Sequence, residues 1–192
     1  HSFYMKKVKK MGKRSDFERK PRDFYPTPIE AVLPLVSHLP QGGNHIAWGD
    51  KPWNYSEPCA GNGALVRHLS ELTKGICLHA TDIQPHAASV DVKDAFDTTH
   101  DDVDYIITNP PWDRKMLHPM IEHFSKQKPT WLLFDADWMH TKQSVEYTKY
   151  LHKIISVGRI KWFGNMTGKD NCAWYLFDYN ATRNAPLFYG RT

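Results

Sequence analysis

The run Val103-Asp104-Tyr105-Ile106-Ile107-Thr108 is followed at once by Asn109-Pro110-Pro111-Trp112. A short apolar run bounded by turn residues predicts a buried strand. Proline has no N–H for a ladder and holds φ near −65°, so two in succession stop the strand and stiffen the chain leaving it. Asn109 is therefore expected at the carboxyl end of a strand, where open α/β sheets place their ligands. The Asn109 side-chain oxygen and the Pro110 carbonyl are two acceptors that can point at one spot. Such a pair suits a planar NH2 group. The lone pair of a nucleobase amine is delocalised into its ring, and acceptors gripping its hydrogens favour the pyramidal form in which that pair is available. Trp112 adds a flat face on which a base can stack, worth roughly 1–3 kcal/mol. Asn and Pro are also ordinary turn residues, so the meaning of the tetrapeptide depends on the chain before it.

Upstream, Tyr55-Ser56-Glu57-Pro58-Cys59-Ala60-Gly61-Asn62-Gly63-Ala64-Leu65-Val66 reads as a strand, a glycine turn and a helix carrying Leu65, Val66, Leu69 and Leu72. Glycines spaced by one residue let backbone approach a ligand closely, and the helix start offers free N–H groups. No third glycine follows and no Gly-Lys-Ser/Thr, so neither the dinucleotide fingerprint nor a phosphate loop is present. A second strand, Gly75 to Ile83, ends in Asp82, 21 residues after Gly61. That is close to the spacing at which doubly wound nucleotide folds put a carboxylate on ribose hydroxyls. A solvent-facing acid at a strand end is the plainer alternative for Asp82.

With these residues in view, Asn-Pro-Pro-aromatic after a Glu-Pro-x-Ala-Gly-x-Gly loop resembles the class I S-adenosylmethionine-dependent amino-methyltransferases, above all the DNA adenine-N6 enzymes. The resemblance covers residues 23 to about 180, in the order cofactor flank, glycine loop, acid, tetrapeptide. It implies S-adenosylmethionine as cofactor, with Asn109, Pro110, Pro111 and Trp112 as the catalytic group and Asn109 at the cofactor site as well. It also implies that Glu57, Pro58, Ala60, Gly61 and Gly63 form the cofactor loop, that Asp82 meets the ribose, and that Ile83 packs on the adenine. Asp94 and Phe96 follow a third short strand near Ser89–Val92, and there the family places an acid on the adenine amine; Asp91 and Asp97 are rival candidates. Asp23-Phe24-Tyr25-Pro26-Thr27-Pro28 is similar to the family's cofactor-flanking motif, so Phe24, Tyr25 and Thr27 are implied at the site. Thr27 also suits the cap of a helix from Pro28 to Val36. Asp113, beside the tetrapeptide, reads as an exposed acid opening the next helix rather than as a base.

Helical spacing over Met116–Phe124 and Thr141–Leu151, a strand at Thr130–Phe134, and two final strands at Ile154–Phe163 and Cys172–Tyr179 complete the pattern. The predicted fold is α/β: a doubly wound, mostly parallel seven-stranded sheet with a C-terminal antiparallel hairpin. Residues 23–192 are expected to form one catalytic domain, since 192 residues support one core of ordinary size.

Charge is uneven along the chain. Between Lys6 and Arg22 nine basic residues face Asp16 and Glu18, a net of +7; the whole chain is +4, which leaves −3 on the remainder. Residues 1–22 thus read as a basic arm, either a nucleic-acid contact or a solvated tail. No apolar run approaches the roughly 20 residues of a membrane span. Cys59, Cys77 and Cys172 are too widely spaced for a disulfide framework or a metal cluster, which suits a reducing cytoplasmic or nucleoid-associated setting without metal. The expected activity is methyl transfer to the N6 amine of adenine in DNA, with little or short sequence specificity. RNA adenine, a protein glutamine amide, or a non-catalytic nucleic-acid-binding module remain the alternatives.

Overall fold

The computed structural model describes residues 24–40, 52–163, 166–167, 170–181 and 185–191. The basic arm lies outside them. Helix α1 (Ile29–Val36) precedes strand β1 (Trp53–Glu57), helix α2 (Ala64–Leu72) and strand β2 (Gly75–Asp82). Strand β3 (Asp91–Val92), a 3-10 turn at Ala95–Asp97 and strand β4 (Tyr105–Thr108) follow, then α3 (Arg114–Ser125), β5 (Thr130–Asp135) and α4 (Val145–Thr148). The chain finishes with β6 (Leu151–Gly158), β7 (Lys161–Phe163), β8 (Met166–Thr167), β9 (Cys172–Phe177) and β10 (Leu187–Tyr189).

The main sheet runs β10-β6-β9-β5-β4-β1-β2-β3, with β9 antiparallel to both its neighbours and every other pairing parallel. Its central strands β4, β5 and β9 read as nearly continuous apolar runs because both faces are covered. On one face Trp53, Tyr55, Ile107, Trp131 and Trp174 pack against Ala31, Leu35, Leu65 and Leu69 of α1 and α2. The Trp174 indole donates to the Ala31 carbonyl at 2.7 Å, fastening β9 to α1. On the other, Ile106, Leu132, Phe134 and Tyr175 meet Leu117, Met120, Ile121 and Phe124 of α3. Those four helix positions follow the i, i+3, i+4, i+7 pattern of one buried stripe.

Four details differ from the sequence reading. The main sheet has eight strands, not seven, because Leu187–Tyr189 adds a parallel edge beside β6. The expected strand Ile154–Phe163 is divided: Gly158, at φ +84°, takes a left-handed turn that ends β6, and β7 pairs instead with β8 in a separate small sheet. The expected helix 141–151 shrinks to Val145–Thr148. Ser144 Oγ donates to the carbonyls of Met139 and Thr141, which draws the backbone before it into 3-10 turns, and Leu151 enters β6 as a buried strand residue. Thr27 does not cap α1; Pro28 occupies the cap position without a side-chain bond, and the Thr27 hydroxyl is engaged elsewhere.

His100 is 0 % exposed, packs edge-on to Phe124, and neither ring nitrogen has a hydrogen-bond partner. Burial, then the charges of His123 and His79, pull its pKa down to about 4. An unfolded histidine titrates near 6.5, so the unfolded chain takes a proton that the folded chain refuses. The stability this histidine contributes is full above about pH 6.5 and is lost as pH falls toward 4, by about 3 kcal/mol in all. Denaturant unfolding at pH 7 and pH 4.5 should show that loss in the wild type and not in His100→Phe; equal pH slopes in the two proteins would refute it.

Candidate active site

A cavity of about 550 Å³ opens at the carboxyl ends of β1, β2 and β4. Strand β1 lies between β2 on one side and β4 on the other, so the chain reverses its direction of winding here, the place where open sheets form a crevice. The volume lies within the range usual for small-molecule sites.

The glycine turn is built by backbone geometry. Gly61 and Gly63 have φ of +55° and +73°, a region that side chains with a Cβ enter at a cost. A Cβ on Gly61 would also come within 2.9 Å of the Phe24 ring. Phe24 stacks on His86 at 3.9 Å, and the His86 N–H donates to the Gly61 carbonyl at 2.9 Å. From the other side the Gly61 N–H donates to Asp82 Oδ2 at 2.9 Å, while Asp82 Oδ1 accepts from the Gln84 N–H at 2.8 Å. The carboxylate at the end of β2 thereby ties the glycine turn in place, and it lines the cavity.

Glu57, at the end of β1, is 2 % exposed and lines the same cavity, and its Oε2 has no hydrogen-bond partner. Burial, and secondarily the neighbouring Asp82 charge, push its carboxyl well above the usual range, against the backbone N–H of Val66, which favours the ionised form. A buried acceptor without a donor is costly, and one facing a cavity is suited to a ligand's ammonium or hydroxyl. Asp94 also lines the cavity, with Oδ1 accepting from the Phe96 N–H at 2.9 Å, whereas the exposed Asp91 and Asp97 do not.

Asn109 follows β4 directly. Its Nδ2 donates to the Tyr25 carbonyl and to Thr27 Oγ1, both at 3.2 Å, and its Oδ1 accepts from Trp112 Nε1 at 3.2 Å. A carbonyl accepts only and an indole N–H donates only, so these partners leave the amide one orientation. Both amide hydrogens are used, and one lone pair of Oδ1 remains. The Trp112 N–H is shared with the Leu133 carbonyl at 3.1 Å. Asp113 opens α3 as its cap, accepting from the Lys115 N–H at 3.0 Å.

Of the residues singled out from sequence, Phe24, Tyr25, Thr27, Glu57, Pro58 and Ala60 line the cavity, as do Gly61, Asp82, Ile83, Asp94, Asn109, Pro111 and the helix-capping Asp113. Gly63, Phe96, Pro110 and Trp112 do not. Gly63 serves the backbone turn, and Phe96 packs toward His123 and the α3 side of the core. Pro110 is buried. Trp112 is packed against both core clusters, its ring edge-on to Trp162 at 5.6 Å. The cavity also takes in Gln84, His86, Met116 and Met120. Sequence reasoning missed these four: no local pattern marks His86 beyond its place four residues after Asp82, and the two methionines read only as an apolar helix stripe.

No family model matches the chain, and no curated protein does. Solved structures share its architecture. A protein of Pyrococcus horikoshii, provisionally described as an RNA methyltransferase, superposes with a TM-score of 0.60 at 17% identity, over 86% of this chain and 92% of its own. A Listeria monocytogenes protein, provisionally a class I S-adenosylmethionine-dependent methyltransferase, gives 0.53 at 9% identity over 88% and 66%. The fold is that of the class I methyltransferases. A third structure with this methyltransferase fold, the methyltransferase subunit of a type I restriction-modification system from Streptococcus thermophilus, gives 0.52 at 8% identity over 82% of this chain and 45% of that one. The chain thus spans about half the length of that subunit. Within a methyltransferase fold the cavity described here lies at the carboxyl ends of the strands.

Proposed function

We propose that the chain transfers a methyl group from S-adenosylmethionine to the exocyclic N6 amine of adenine in a nucleic acid, with DNA as the first substrate. The observation that supports this most is the held amide of Asn109, with one acceptor lone pair left free beside a ligand-sized cavity.

The residues present fit the cofactor. The unpartnered Oε2 of Glu57 suits its ammonium, and Asp82 its ribose hydroxyls. Asp94 suits the adenine amine and Ile83 the adenine face, with Phe24 closing over Gly61. When bound, S-adenosylmethionine supplies an electrophilic methyl on a sulfonium, so what remains for the protein is placement. Asn109 Oδ1 takes an amine hydrogen, which favours the pyramidal nitrogen whose lone pair is available, while the buried Pro110, outside the cavity lining, stiffens the chain behind Asn109 rather than offering its carbonyl. The amine proton becomes acidic only once the nitrogen is alkylated, so no general base is needed before attack. Asp113 stays a helix cap.

An adenine in a duplex reaches such a pocket only by leaving the stack. The basic arm from Lys6 to Arg22 is proposed to supply phosphate contacts that add affinity without base information. The decisive experiment incubates the purified protein with methyl-labelled cofactor and, separately, DNA, RNA and a glutamine-containing peptide, followed by nucleoside and amino-acid analysis. Label on N6-methyladenine from DNA supports the proposal. Label confined to RNA or glutamine moves the substrate, and no transfer to any of them removes the enzyme reading.

A further inference from the structure

We propose that Trp112 is a positioning residue, acting through its indole N–H on Asn109 rather than through its ring face on the substrate. The inference rests on the amine-methylating reading and departs from the stacking role expected of the aromatic after Asn-Pro-Pro. Its motive is where the ring lies. Trp112 is half-buried, packed against both core clusters, and is not part of the cavity lining, so its ring lies against protein rather than in the cavity. Trp162 packs T-shaped with it at 5.6 Å between ring centroids, and with Tyr25 at 6.0 Å.

What Trp112 offers the site is a donor. Its N–H is divided between Leu133 O on β5 and Asn109 Oδ1, so it references the amide to the sheet itself. At the other end of the same amide, Thr27 Oγ1 and Tyr25 O take the two Nδ2 hydrogens. Rotating the amide by half a turn would set Oδ1 against the Tyr25 carbonyl and Nδ2 against the indole N–H, two like pairs in place of opposite ones. With the donor present, the acceptor is held where an incoming amine needs it before the amine arrives, which is the preorganisation that speeds a transfer step without tightening substrate binding.

Trp112→Phe tests this, since it keeps a flat ring and removes only the N–H. The expected result is a kcat at least about tenfold lower, with the KM for nucleic acid within about threefold of wild type and cofactor affinity by calorimetry unchanged. A phenylalanine variant with near wild-type kcat overturns the proposal, and so does a variant whose loss lies in KM. The second handle is at the opposite end of the amide. Thr27→Val removes the acceptor that Thr27→Ser retains, and kcat should be at least about fivefold lower in the valine than in the serine variant; equality of the two overturns the clamp. A third measurement does not need turnover. The Trp112 indole N–H should exchange with deuterium at least about tenfold more slowly than free tryptophan, as a doubly bonded, half-buried donor does, and exchange at the free rate overturns the proposal. A wild-type protein that methylates no amine brings down the functional reading and the positioning role with it. An active wild type whose phenylalanine variant is equally active brings down only the positioning role.

Discussion

Replacing Asn109 with alanine is expected to lower the methyl-transfer rate by at least about a hundredfold while leaving cofactor affinity within about twofold. The rate falls because Asn109 lines the cavity and its held Oδ1 keeps a lone pair for the amine, and removing one preorganised polar group of this kind costs roughly 10²–10³ in kcat. Affinity survives because the groups proposed to hold the cofactor, Glu57, Asp82 and Asp94, make no bond to Asn109, and Asp82 and Asp94 keep their own partners. The truncation also removes one bond each from the Tyr25 carbonyl, Thr27 Oγ1 and the Trp112 N–H, which retains Leu133 O. A modest loss of stability should accompany it, of about 1–3 kcal/mol for the hydrogen bonds removed. Asn109→Asp separates the two roles of the amide. It keeps an acceptor toward Trp112 and the cavity, but sets a second oxygen against the Tyr25 carbonyl, while Thr27 can turn its hydroxyl to donate. The aspartate variant should therefore lie between alanine and wild type in rate. Methylation by Asn109→Ala within tenfold of wild type would take the tetrapeptide out of the chemistry.

The positions that could be read from sequence are those whose role is a matter of chain geometry. The 21-residue interval from Gly61 to Asp82 was legible because one strand, one turn and one helix of nearly fixed length separate them, and the interval ends in a direct bond of 2.9 Å between Gly61 N–H and Asp82. The end of β4 at Thr108 was legible because two prolines leave the ladder no alternative. What was not legible depends on partners far away in the chain. Thr27 has every local mark of a cap, yet its hydroxyl meets Asn109, 82 residues on, and nothing near Thr27 announces that. Trp112 after two prolines reads as a flat face for a base, whereas it packs toward the Leu133 carbonyl and Trp162. Asp91, Asp94 and Asp97 lie three residues apart behind a two-residue strand, too short for alternation to say which side chain faces the crevice; the 3-10 turn at Ala95–Asp97, capped by Asp94, turns that acid inward. The edge strand Leu187–Tyr189 is three residues long with two of them exposed, below what a hydrophobic pattern can signal.

Asp82→Ala is expected to weaken S-adenosylmethionine binding by about 1.5–3 kcal/mol, roughly ten- to 150-fold in Kd, the scale of hydrogen bonds lost to a charged acceptor. Two causes contribute, and they can be told apart. The first is direct: Asp82 lines the cavity, and each of its oxygens is bonded once by backbone, which leaves lone pairs for ribose hydroxyls. The second is indirect: without the carboxylate the Gly61 N–H loses its acceptor, and the turn that brings Gly61 beneath Phe24 is held by one bond fewer. A cofactor analogue lacking the 2′ and 3′ hydroxyls separates them. If contact dominates, wild type and Asp82→Ala bind the analogue equally; if the turn dominates, the variant loses affinity for the analogue as well. Removing Asp82 also removes the charge that, after burial itself, most disfavours ionisation of Glu57. The Glu57 carboxyl should then ionise at lower pH in the variant, and the pH below which cofactor affinity falls should move down with it. Calorimetry at several pH values reads both effects in one series, and an affinity for S-adenosylmethionine unchanged at every pH would place the ribose somewhere other than against Asp82.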